Sequence, residues 1–105
     1  MTHKDREKIF KGIWDRNKKV RETKGVDYAD SNDVNANFKR SAERYNTSPE
    51  KVLMILVDKH LDAMRTYVNK GCLKGEPIRA KADDVINYIG IFESLVDEKE
   101  NSQNS

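Results

Sequence analysis

The chain has a single cysteine, two prolines, five glycines and 8% aromatic residues among its 105 positions. The lone thiol, Cys72, cannot close an internal disulfide or build a cysteine metal cage, so a cytoplasmic setting is expected. An excess of charge is also missing. Twenty Lys and Arg stand against 18 Asp and Glu, a net charge of +2, which argues against a coat for duplex nucleic acid. The longest apolar run, Val52 to Val57, is far short of the roughly 20 residues that span a bilayer, so no membrane association is expected. The opening MTHKDREK lacks the apolar stretch of a signal peptide. The sequence has no Gly-rich phosphate loop and no H-E-x-x-H, and its two histidines, His3 and His60, lie 57 positions apart. A histidine metal site is therefore not expected.

What is present is a chain with 36% charged and 36% apolar residues, enough for one lean core in one domain. No period-two alternation occurs. Helical spacing dominates, and the predicted fold is all-α, a small bundle of three long helices and one short one spanning residues 1–97, with a disordered polar tail at 98–105. The first helix is capped by Thr2 and carries Ile9, Phe10, Ile13, Trp14, Asn17 and Val20 on one stripe. Residues 22–33 hold Gly25 and a cluster of Asp, Ser and Asn, which predicts an irregular connector long enough to bind a ligand. A short helix is expected after it, with Asp33 as cap and Val34, Phe38 and Tyr45 buried.

Asn46-Thr47-Ser48-Pro49-Glu50 is the clearest start signal. A hydroxyl accepts from the free amides, proline sits where its missing N–H does no harm, and Glu50 favours the positive helix end. The helix that follows, 49–70, stops at Gly71. Its apolar stripe is wide (Val52, Leu53, Ile55, Leu56, Val57, Leu61, Met64, Tyr67 and Val68), so it is expected to be central. The last helix begins near Gly75-Glu76-Pro77 and repeats Ile78, Ala82, Val85, Ile86, Ile89, Phe92 and Val96, with Leu95 widening the stripe. Charge is uneven: residues 1–21 carry eight basic and three acidic side chains, residues 83–100 one and six. The two ends could pair within a bundle or between subunits, and solvated faces give the same count.

Chemistry-bearing residues gather in two helices and the connector. Asp58 and Asp62 share a face of the central helix and could hold a divalent cation, or be ordinary solvated acids. Lys59, between them and beside His60, sits near the edge of the apolar stripe, where an ammonium either reaches a phosphate or snorkels to solvent. Asp84, Asn87 and Tyr88 share a face of the last helix. Asn87 can donate and accept, and Tyr88 offers a ring, a combination suited to a base edge and equally to contacts between helices.

Three stretches together resemble a known family: DYADSNDVNANF at Asp27–Phe38, DKH on the central helix, and GEPIRAKADDVINYIGIF at Gly75–Phe92. The pattern resembles the nucleotide modification associated domain family of phage and bacterial proteins, distantly similar to the all-α, MazG-like nucleoside triphosphate pyrophosphatases. The matching positions are Asp27, Tyr28, Asn37 and Phe38 in the connector, Lys59 at the centre, and Glu76, Asp84, Asn87 and Tyr88 in the last motif. The resemblance implies a nucleotide phosphate chain as ligand, usually with magnesium, and assembly as a homo-oligomer. It departs from the pyrophosphatases where a glutamate is expected three residues before Asp84 and Lys81 stands instead, and where the central helix lacks E-x-x-E. A cluster that exchanges an acid for a lysine holds magnesium less well.

The leading expectation is a nucleotide- or cyclic-nucleotide-binding protein that sequesters its ligand in a host bacterial cytoplasm, as a phage anti-defence protein would. Lys24, Arg40 or Lys59 would meet phosphates, Tyr28, Phe38 or Tyr88 would stack on the base, and Asn37 or Asn87 would read its edge. The alternative is magnesium-dependent pyrophosphate release, with Asp58, Asp62, Glu76 and Asp84 as ligands. A third reading takes Asn37–His60 as a DNA-binding helix–turn–helix, against which stand the wide apolar face of its second helix and the near-neutral charge.

Overall fold

A computed structural model describes residues 1–28 and 33–104, apart from the side chains at 24–28 and 104. Four α-helices, three long and one short, make up the described chain: α1 (His3–Tyr28), α2 (Ala36–Arg44), α3 (Pro49–Lys70) and α4 (Ile78–Asn104). The all-α expectation holds.

Local chemistry accounts for most of the ends. Thr2 Oγ1 accepts from the Asp5 amide at 3.1 Å while Asp5 Oδ2 accepts from the Thr2 amide at 2.9 Å, a reciprocal capping box. Those bonds hold the Asp5 carboxyl below its ordinary pKa. α2 closes with the Thr47 amide donating to the Ala42 carbonyl at 2.8 Å and the Asn46 amide to Glu43 at 3.3 Å. Asn46 takes the left-handed conformation, φ 53°, that this closure needs. Ser48 then caps α3, accepting from the Lys51 amide at 3.2 Å ahead of Pro49. Gly71, at φ 78°, ends α3.

Two boundaries differ from the sequence reading. The irregular connector expected from residue 22 is helical as far as Tyr28. A glycine costs a helix about 1 kcal/mol relative to alanine and does not by itself stop one, and no proline interrupts residues 3–28. The tail expected to be disordered from Glu98 instead continues α4 to Asn104. An Asn101–Asp97 side-chain bond spans one of its turns, and Glu98 is tied to the start of α2.

α3 and α4 form an antiparallel hairpin. Leu53 and Leu95 share the core near one end, while His60 meets Asp84 and Tyr88 nearer the other. The core is small: Phe38, Leu53, Val57 and Leu95, flanked by Val52, Leu56, Leu61, Tyr88, Ile91 and Phe92. Val34 and Tyr45, expected to be buried with Phe38, are 72% and 73% exposed. α2 is only nine residues long, and Phe38 with Ala42 uses up the one face it turns inward. On α1, Asn17 is buried and Ile13 and Val20 are half-buried, whereas Ile9, Phe10 and Trp14 remain exposed. α1 is fastened to α4 by Arg16, whose Nε and Nη2 donate to the two Asp83 oxygens at 2.6 and 3.2 Å. This two-pronged geometry is the stronger form of guanidinium–carboxylate contact.

A polar clamp holds the entry to α2 against α4. Asn35, 3% exposed, donates through Nδ2 to Ser94 Oγ at 3.1 Å and Glu98 Oε1 at 2.7 Å. Lys39 Nζ lies 2.6 Å from both Asp33 Oδ2 and Glu98 Oε2. The Asp33 carboxyl is held below its ordinary pKa, first by the Lys39 bond and then by the Asn35 amide. Glu98 is lowered by Lys39 and then by Asn35, and Lys39 is raised by Asp33 and then by Glu98. Lowered carboxyls contribute stability above their unfolded pKa values and lose it as pH falls through the folded ones. The Lys39 contribution persists until pH exceeds about 10. Thermal denaturation should therefore give a flat midpoint from about pH 6 to 9 and a falling one below about pH 4. Lys39→Met should flatten the acid limb, and an unchanged limb would contradict the clamp.

Candidate functional site

The seam between α3 and α4 gathers polar groups that helix spacing brings to one side of each helix. On α3, the steps from Leu53 to Val57 and on to His60 keep the histidine on the core side, with its side chain 13% exposed. On α4, Asp84, Tyr88 and Leu95 line the facing side. The His60 and Tyr88 rings are 5.4 Å apart and inclined by 35°. His60 Nδ1 is 3.8 Å from Asp84 Oδ2, beyond hydrogen-bond reach. Both His60 Nδ1 and Asn87 Oδ1 are buried without a hydrogen-bond partner. Asp84 is about half exposed and opens the seam to solvent.

Lys81, one turn before Asp84, has a side chain only 17% exposed and contacts Glu76 Oε2 at 3.1 Å. Burial raises the Tyr88 phenol pKa, Asp84 raises it further and Lys81 opposes. The phenol thus stays protonated at neutral pH and keeps a hydrogen to donate. The seam offers an aromatic face, an imidazole nitrogen, a phenol and an ammonium within a few helical turns, with the Asn87 amide oxygen buried on the adjoining side of α4.

Of the residues singled out from sequence, Asp84 and Tyr88 come together here against His60, whereas Asn87 is half-buried on the side of α4 that it shares with Asp83 and Ser94. Lys59 is the neighbour of His60 but lies about 100° farther round α3, exposed. Asn37 is half-buried and Arg40 exposed on α2. Phe38 is 7% exposed and packs in the core with Leu53, Val57 and Leu95, so its ring is taken up by helix packing. The side chains of Lys24, Asp27 and Tyr28 lie outside the described residues.

The four carboxylates expected around magnesium sit in different settings. Asp58 is exposed, Asp62 is exposed and bonded to Arg65 at 2.7 Å, Glu76 is engaged with Lys81, and Asp84 faces His60. Among the described residues no group of three or more His, Cys, Asp or Glu is arranged to hold a metal ion. Cys72 is exposed. No described helix is long and apolar enough to cross a membrane.

His60 and Lys81 were not assigned to a site from sequence. His60 stands in the DKH stretch beside Lys59, which marks it without giving it a role. Lys81 stood out as a lysine where the resemblance calls for an acid.

Comparison of the chain with models of known protein families finds no match, and comparisons with curated proteins and with solved structures find none.

Proposed function

We propose that the chain binds a nucleotide or cyclic nucleotide at the α3–α4 seam of a homo-oligomer and holds it without processing it. The observation that carries this reading is His60 Nδ1, buried without a hydrogen-bond partner beside the Tyr88 ring, with a second buried unpartnered atom, Asn87 Oδ1, roughly a quarter turn away on α4. A buried polar atom without a partner costs roughly 1–3 kcal/mol. Such atoms gather where a ligand supplies the missing donor. A base edge carries both donors and acceptors, so it can meet the Asn87 oxygen and either tautomer of the His60 imidazole while its ring lies against Tyr88. Lys81, released from Glu76, reaches a phosphate, and Asp84 sets the entry. The resemblance of the Gly75–Phe92 stretch to nucleotide-associated domains points to the same ligand class.

The test separates a ligand site from a structural one. Asn87→Leu removes an orphaned acceptor, so the fold should be as stable as before or gain up to about 1 kcal/mol. Nucleotide affinity, followed by equilibrium dialysis across a panel of mono-, di-, tri- and cyclic nucleotides, should fall roughly 10- to 100-fold. Destabilisation with unchanged affinity would overturn the assignment. Magnesium-dependent turnover of a triphosphate, lost in Asp84→Asn, would replace holding with hydrolysis.

A further inference from the structure

The single chain exposes 8344 Å², whereas a compact monomer of 12.2 kDa exposes about 6,100 Å². Its radius of gyration is 16.0 Å, against roughly 13 Å for a compact domain of this length. The excess of about 2,200 Å² is more than twice the roughly 800 Å² per partner of a standard interface. Part of it lies on one side of the α3–α4 hairpin, where Met54, Val68 and Ile89 are exposed.

On α3, Met54, Leu61, Met64 and Val68 recur at steps of seven, three and four, beside the inward stripe of Leu53, Val57 and His60. Met54 is 44% and Val68 78% exposed. On α4, Ile78, Val85, Ile89, Phe92 and Val96 follow steps of seven, four, three and four, about a quarter turn from the Leu95–Tyr88 face. Ile89 is 49% exposed and the others are half-buried. Because the helices are antiparallel, quarter turns in the same rotational sense carry both stripes to the same side of the hairpin. α1 and α2 hold the opposite side, through Asp83 with Arg16 and through Ser94 and Glu98 with Asn35. The open side bears a depression of about 290 Å³ lined by Leu61, Met64, Arg65, Val68 and Asn69.

We infer that a second copy of this chain covers the open side of the α3–α4 hairpin, face to face, so that two hairpins build one four-helix bundle. This rests on the homo-oligomer named in the proposed function and specifies its surface. Self-apposition suits this face because both signs of charge border it, Asp62 and Glu93 with Arg65, and identical faces can pair across a two-fold axis. The other exposed stripe, Ile9, Phe10 and Trp14 on α1, lies in a segment with eight basic and three acidic residues, and self-apposition there would set like charges together. Two apolar hairpin faces bury each other as the layers of a helical bundle do.

Sedimentation equilibrium of the full chain tests this, using Ile89→Glu and Val68→Glu at the proposed face and Trp14→Glu on α1, with helicity checked by circular dichroism. The expected result is a particle of twice the chain mass or more for the parent and Trp14→Glu, and a helical monomer for both face variants. A monomeric parent would overturn both this surface and the oligomer. An oligomer that survives Ile89→Glu and Val68→Glu but dissociates in Trp14→Glu would overturn the surface and leave the oligomer standing. Should the face variants unfold, Ile89→Ala and Val68→Ala must weaken association at least tenfold while remaining helical, and unchanged association would overturn the inference. Nucleotide dialysis on the same samples reads the binding site separately.

Discussion

Leu53→Ala should cost about 3–5 kcal/mol and carry the largest stability loss of any single truncation in the chain. Leu53 is fully buried at the meeting point of α2, α3 and α4. A domain of this length has roughly 5–15 kcal/mol in total. Among the described residues only five apolar side chains are buried, so that one change removes a large part of it. Urea denaturation at fixed protein concentration measures the loss, because stability tied to association depends on concentration. A shift below about 1 kcal/mol would contradict the packing of α3 at the centre.

The second large effect lies in the clamp. Asn35→Ala deletes the donor to Ser94 and Glu98 and should cost about 1–3 kcal/mol. Asn35→Asp keeps the size but points a carboxylate at Glu98 Oε1, 2.7 Å from the replaced nitrogen, and should cost more than alanine at pH 7. The aspartate penalty should shrink as acid protonates one of the two groups. Hydrogen exchange over Ala36–Arg44 should rise first, because α2 depends on this anchor. If aspartate were tolerated better than alanine at neutral pH, the donor role of Asn35 would be wrong.

The elements differ in how plainly the sequence announces them. Ser48-Pro49 and Gly71 delimit α3 through local chemistry alone, and its span, 49–70, is legible without any tertiary knowledge. The ends of α1 and α4 are not. Gly25 and the polar run after Asp97 look like stops when taken alone, yet α1 continues to Tyr28 and α4 is held by Glu98 against a residue 63 positions away. Apolar periodicity marks which residues share a face and not which face meets a neighbour. On α4 the longest stripe, Ile78 to Val96, lies beside the face that packs, and the buried residue is Leu95, which seemed only to widen it. Ile55, within the α3 stripe, is 63% exposed for the same reason: α2 and α4 both approach from the other side.

The candidate site was half visible. Asp84, Asn87 and Tyr88 declare themselves by spacing on one helix. His60, which meets Asp84 and Tyr88, is 24 residues earlier than Asp84, and no local pattern links the two. Phe38 matched a motif and serves the core. Asn35, Lys39, Ser94 and Glu98 gave no signal at all, because their bonds join segments that only the folded chain brings together.

Nuclear magnetic resonance of the His60 imidazole during nucleotide titration tests the central claim most directly. The chain has two histidines, and His60→Gln assigns the buried one against His3 at the exposed end of α1. The account predicts saturable shifts of the His60 and Tyr88 ring signals with at least one nucleotide, His3 staying in place, and loss of those shifts in Asn87→Leu. His60 and Tyr88 signals that stay fixed across the whole nucleotide panel at millimolar concentration would contradict it.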